Sequence, residues 1–175
     1  MAWVRSEYAG ELAVVAAWLS ALVPWSVSVA SRGGISFVVV RWPLFVFQFL
    51  FGVNLGTAER PFLTVAQMPG TASNATNLQA YYVWLSAGIV VGVALLLSLV
   101  YYAREEDLEA RSPVNPVRLM GGLLTLAGLL LLVSLVLLWQ GFFGFTVPIG
   151  AVIVLLLGVV LLRVEVTDDT TPADS

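Results

Sequence analysis

Between Tyr81 and Tyr102 the stretch YYVWLSAGIVVGVALLLSLVYY carries no charge. Between Leu119 and Trp139 a second run, LMGGLLTLAGLLLLVSLVLLW, carries none either. Each reaches the ~20 residues needed to cross the hydrocarbon core of a bilayer. Two further apolar runs flank them, YAGELAVVAAWLSALV from Tyr8 and FTVPIGAVIVLLLGVVLL from Phe145. With 59% hydrophobic and 11% charged residues, the chain is too apolar for an ordinary soluble domain. The first run lacks the basic leader and small-residue cleavage site of a signal peptide, so it is expected to be retained.

The predicted class is therefore an all-α integral membrane protein with four transmembrane helices. The spans fall at about 6–24, 79–102, 116–139 and 145–162, within a single domain over residues 1–166. Ser6 is a good N-cap for the first helix, and Asn115 followed by Pro116 reads as an N-cap with proline in the first turn of the third. The charged run AREEDLEAR, residues 103–111, follows the second span, and an acidic tail at 167–175 is expected to be disordered.

Four spans place both termini on one side, together with Arg5, Arg104, Arg111, Arg118 and Arg163. Arg32, Arg41 and Arg60 lie in the longer segment on the other side. The positive-inside rule then makes the termini cytoplasmic, in the cell membrane. Trp25, Trp84 and Trp139 fall at the external ends of the spans, and Tyr8, Tyr101 and Tyr102 at the internal ends, as interfacial belts would.

The external segment, residues 26–78, contains the apolar stretch ISFVVVRWPLFVFQFLFG. A fifth crossing would set Arg41 near mid-bilayer, at roughly 2.5–3.5 kcal/mol on insertion scales. Two β-prone segments instead flank Gly33-Gly34, a hairpin signal. In SVSVAS the valines alternate with small polar residues, the pattern of a strand with one dry face. Phe45, Phe47, Phe49 and Phe51 recur at period two, which fits a strand, but they also pair at i,i+4 on a short interfacial helix. The expectation is a hairpin and an aromatic element lying on the outer leaflet or over the helix mouths.

There is no cysteine and no histidine. That removes disulfides, thiolate metal sites, the commonest haem and metal ligand, and the usual neutral-pH acid–base group. No P-loop, dinucleotide-binding glycine pattern, zinc motif or catalytic serine constellation is present, so no cofactor and no enzymatic activity are expected. The soluble parts carry no basic patch for nucleic acid.

Four features remain as candidates. Glu11 is the one acid near a span, either a functional intramembrane carboxylate or a residue at headgroup depth pairing with an arginine such as Arg5. Gly88 and Gly92 form a GxxxG pattern, and Gly121 and Gly128 a small face on the third helix. These serve either a partner surface or packing of the second and third helices within one chain. Asn74, in the sequon NAT, is a candidate glycosylation acceptor in an exposed loop. The acidic EEDLE is either a cation site or a solvated face.

The segments WVRSEYAGELAVVAAWLSALVPWSVSV and FVVVRWPLFVFQFLFG resemble a family of small haloarchaeal multi-pass membrane proteins of unknown function. All basic residues are arginine and the sequence pI is near 4.8, which suits such a source. The resemblance implies location and lineage and transfers no site residues.

Three classes of function stay open. The first is a non-enzymatic accessory, assembly or scaffold subunit, contacting membrane lipids and a membrane-protein partner or a second copy. The second is a small oligomeric transporter or channel. The third is a lipid-modifying membrane enzyme, which would have only Glu7, Glu11 and the central acids to use.

Overall fold

The computed structural model describes residues 2–52, 61–103, 115–142 and 144–167. Strand β1 (Ala2–Arg5) leads into helix α1 (Ser6–Leu22), and three strands follow, β2 (Ser26–Arg32), β3 (Ile35–Arg41) and β4 (Phe45–Phe51). After β5 (Phe62–Thr64) and a 3₁₀ segment (Val65–Thr71) come the two long helices, α2 (Ala75–Ala103) and α3 (Pro116–Gly141). Strand β6 (Phe145–Val147), helix α4 (Ile149–Arg163) and strand β7 (Val164–Thr167) complete the described chain. The run at residues 104–111, Arg60 and the tail at 168–175 lie outside the described residues.

The all-α expectation is corrected. An antiparallel sheet in the order β5-β4-β3-β2-β6 stands at one end of the helices, and β1 and β7 pair in parallel at the other. Among the described residues two helices, α2 and α3, are long and apolar enough to cross a membrane, not four. The shortfall has a local cause at each of the other two. After α1 the Trp25 amide donates to the Arg41 carbonyl at 2.7 Å, drawing the chain into β2. Residues 145–147, counted above in the fourth span, pair instead with β2, so α4 starts only at Ile149. At 1.5 Å per residue, α1 and α4 reach about 25 and 22 Å, short of a hydrocarbon core roughly 30 Å thick.

The hairpin turns at Gly33-Gly34, both at positive φ, where glycine adopts the left-handed conformation without a Cβ clash. The four-phenylalanine element is a strand. Its register sets Phe47 between Val40 and Phe62, and Val46 between Arg41 and Leu63. One face of the sheet therefore shows the row Val147, Val27, Val40, Phe47 and Phe62. The other carries Thr146, Ser28, Val39 and Gln48. The serine side of SVSVAS is the buried one: Ser26 and Ser28 are fully enclosed, while Val29 is exposed. The inward face thus mixes Ser26, Ser28, Arg41 and Thr146 with Val39, Val46 and Leu63, while Phe45, Phe47, Phe49 and Phe51 lie on the outward face.

Tryptophans join sheet to helices. Trp25 and Trp84 are fully buried with ring centroids 5.7 Å apart, so neither serves as an interfacial belt residue; Trp139 is exposed and donates to the Thr146 carbonyl. Trp84 Nε1 donates to the Trp42 carbonyl at 3.1 Å, and Trp42 Nε1 to the Leu22 carbonyl at 2.8 Å. The carbonyl of Trp25 accepts from the amides of Gly150 and Ala151, satisfying two otherwise orphan donors at the start of α4.

The glycines seat these elements, though not as a single α2–α3 seam. A Cβ at Gly88 would lie 2.7 Å from the Pro43 carbonyl oxygen, so this glycine admits the β3–β4 turn against α2. Gly121 and Gly128 face α4: a Cβ at Gly128 would meet the Leu155 backbone at 2.7 Å. Close backbone approach through small residues is the usual basis of tight packing between apolar helices. Gly92 meets nothing within 4 Å. Between α2 and α3, Ser134 donates to the Ala80 carbonyl at 2.9 Å in the interior.

Two substitutions on these helices should therefore part company. Gly128→Val forces overpacking and should lower stability by about 1–3 kcal/mol. Gly92→Ala should be neutral or stabilise by up to about 1 kcal/mol. Thermal unfolding of the detergent-solubilised protein reads both, and equal losses would contradict this packing.

Candidate functional site

The charge excluded from a fifth span is the centre of the sheet–helix junction. Arg41 closes β3, directly opposite Ser26 and Val46 on the inward face, and is 1% exposed. Burying a guanidinium costs several kcal/mol unless its donors are met. Here the partners are neutral. The guanidinium donates to the Ser28 hydroxyl, which in turn sits 2.6 Å from the Thr146 hydroxyl on β6. The Tyr81 hydroxyl of α2 also lies beside it and favours its charged form. The Phe142 ring lies 5.9 Å from Cζ, within cation–π range. Among the described residues the Nε–H has no partner.

A cleft of about 180 Å³ opens beside this arginine. The sheet contributes Phe37, Val39, Arg41 and Gln48; the helix ends and the 3₁₀ segment contribute Met68, Thr71, Ser73, Asn77, Tyr81, Gly141 and Phe142. Asn77 is itself buried, donates to the Ser73 hydroxyl at 2.9 Å, and leaves its side-chain oxygen unpartnered. Buried polar atoms without partners are uncommon, and two of them meet in this one cleft.

Burial pulls the Arg41 guanidinium down to about 10, with the Tyr81 hydroxyl partly opposing that fall. It stays protonated at neutral pH. The sign is then unfavourable: the unfolded chain holds this proton more tightly, so stability rises with pH only above about 10. At neutral pH the folded state carries the cost, on the order of 3 kcal/mol. Chemically, the site is a fixed cation with a spare donor, bounded by hydroxyls, amides and apolar walls. It suits holding an acceptor-bearing group. Among the described residues no trio of metal-ligating side chains comes together.

The residues singled out from the sequence lie elsewhere. Glu11 is exposed at the opposite end of the helices, in a groove of about 260 Å³ with Gly10, Val14, Val15, Tyr101 and Tyr102. Asn74 is the N-cap of α2: its side-chain oxygen accepts from the Asn77 amide at 2.8 Å, and its Nδ2 donates to the Gly141 carbonyl of α3 at 3.0 Å. The nitrogen that glycosylation would modify therefore ties two helix ends together. Asn74 thus borders the cleft through Asn77 and Gly141, whereas Glu11, Gly92, Gly121 and Gly128 have no part in it.

Sequence reasoning treated Arg41 as an obstacle to membrane crossing and did not consider it as a site. The signal was present: an arginine inside ISFVVVRWPLFVFQFLFG, with no acid anywhere in that stretch to pair with it. What could not be read was that Ser28, Tyr81 and Asn77, distant in the chain, converge on it.

Tyr81→Phe removes one of the few groups compensating the buried charge. It should lower the melting temperature in detergent by the equivalent of about 1–3 kcal/mol. Tyr82→Phe, on the exposed side of α2, should change nothing measurable. Equal effects would show that the Tyr81 hydroxyl does not support Arg41.

A model of the DUF7549 family, a family of unknown function, matches residues 2–166, and the chain belongs to that family. No curated protein matches it.

Proposed function

We propose that this member of DUF7549 is a non-enzymatic integral membrane protein of haloarchaeal type, acting as an accessory or scaffold subunit in the cell membrane. The observation that carries this is the nature of its outer surface. On α2 and α3 the outward positions include Ile89, Val93, Leu96, Leu126, Leu129 and Val133, all exposed. The sheet continues the same surface with Phe49, Phe51, Phe62 and Phe145. Soluble monomers rarely expose contiguous apolar patches beyond a few hundred Å².

In this reading α2 and α3 cross the bilayer while α1 and α4 pack beside them. The sheet has two open edges, β5 and β6, whose unpaired backbone groups cannot lie in hydrocarbon. It therefore sits at the outer interface. Arg118 and Arg163 are exposed at the opposite end, which supports a cytoplasmic location for that end and for the strands β1 and β7. The acidic, lysine-free composition supports a high-salt source.

A scaffold role is supported by what the helix interiors do with their polar groups. Ser20 donates to the Ala16 carbonyl, Ser98 to Leu95 and Ser134 to Ala80, so among the described residues each of these buried serine hydroxyls is spent on helix backbone. The exposed phenylalanine face is then the surface for a membrane-protein partner or a second copy.

The protein has no native cysteine, so its placement can be read with single cysteines in intact cells. Ser31→Cys should react with an impermeant thiol reagent from outside, and Ala103→Cys only after permeabilisation. Labelling of both from outside, or recovery of the protein in the soluble fraction, overturns the placement. For the role itself, protein purified at native salt should bring down a stoichiometric partner or form a homo-oligomer. Phe49→Ser with Phe51→Ser should abolish that association while the chain stays in the membrane. A monomer recovered alone contradicts the scaffold reading.

A further inference from the structure

We propose that the cleft beside Arg41 is a binding site for a single oxyanion, a phosphate or carboxylate group, held against the guanidinium between the sheet and the start of α2. Three observations converge. Arg41 is buried, yet among the described residues it has no acidic partner: its contacts are the hydroxyls of Ser28 and Tyr81 and the ring of Phe142. Its Nε–H is unsatisfied. A cleft of about 180 Å³ lies alongside, with Gln48 as a further polar wall residue.

A buried cation without a counter-charge is a standing cost, and an anion entering this cleft removes it while filling the vacant donor. Charge-assisted bonds of this kind are about twice as strong as neutral ones, and a guanidinium edge matches two oxygens of a carboxylate or phosphate. The volume corresponds to roughly six water molecules, enough for one such headgroup and not for a large ligand. Valine, methionine and phenylalanine side chains on the walls suit an apolar body attached to that group. The same chemistry is offered by a free anion and by an anionic lipid headgroup.

The experiment uses the full chain. In detergent at constant ionic strength, chloride is replaced stepwise by inorganic phosphate and the melting temperature followed. In parallel, the protein is placed in bilayer discs of phosphatidylcholine with or without phosphatidylglycerol, and its melting temperature compared. The wild type should show a saturable rise in at least one arm. A rise with phosphate assigns a soluble anion; a rise confined to phosphatidylglycerol discs assigns a lipid headgroup. Arg41→Met should weaken the response by about thirtyfold or more, the usual consequence of deleting one member of a buried charge pair. Should that variant fail to fold, Gln48→Leu, a half-buried wall residue outside the hydroxyl network, should still shift the midpoint to higher concentration. No response to either anion over chloride, or an unchanged response in the variant that folds, overturns the proposal.

Discussion

The hydrogen bond from Arg41 to Ser28 is the contact on which the architecture turns. It forces the inward face of β2 to carry hydroxyls, because a guanidinium at 1% exposure needs acceptors that water cannot supply. The strand period of two then fixes the other face as valine. The same arginine anchors the next layer through its backbone, whose carbonyl takes the Trp25 amide as the chain leaves α1. Trp25 in turn caps the start of α4. Charge satisfaction, sheet polarity and helix placement are thus one problem with one solution.

That solution embeds a polar cluster in an interior that also buries Val39, Val46 and Leu63. Where the described sheet meets the helices it buries Ser26, Ser28, Arg41 and Thr146, and where it faces outward it shows phenylalanine and valine. In water such a sheet would aggregate through its outer face. On the proposed membrane placement the outer face meets lipid or a partner, and beneath it Arg41, Ser28 and Thr146 are hydrogen-bonded in a chain. The helices follow a simpler rule, with glycine at the α3–α4 contact and backbone-bonded serines inside.

Much of this was legible in the sequence, but unevenly. The uncharged runs at 81–102 and 119–139 announced α2 and α3, and Asn115-Pro116 marked the start of α3, where Asn115 accepts from the Val117 and Arg118 amides. Gly33-Gly34 marked the hairpin. The ends of the apolar runs misled, because residues 145–147 are as hydrophobic in a strand as in a helix, and hydropathy carries no information on pairing. Trp25 and Trp84 look like belt residues at their positions in the chain, yet they meet in the core. The Arg41 cleft was the least legible, since its walls come from five separate stretches of chain and only Arg41 itself broke the local pattern.

The central claim is that residues 45–51 form a strand whose odd positions face outward and whose even positions face Arg41 and the core. A spin-label scan through these positions in a reconstituted bilayer, measuring accessibility to molecular oxygen, tests it directly. Oxygen accessibility should alternate, high at 45, 47, 49 and 51 and low at 46, 48 and 50. A period near 3.6 residues would mean a helix, and alternation in the opposite phase would mean that the phenylalanines face the core; either result would contradict the account.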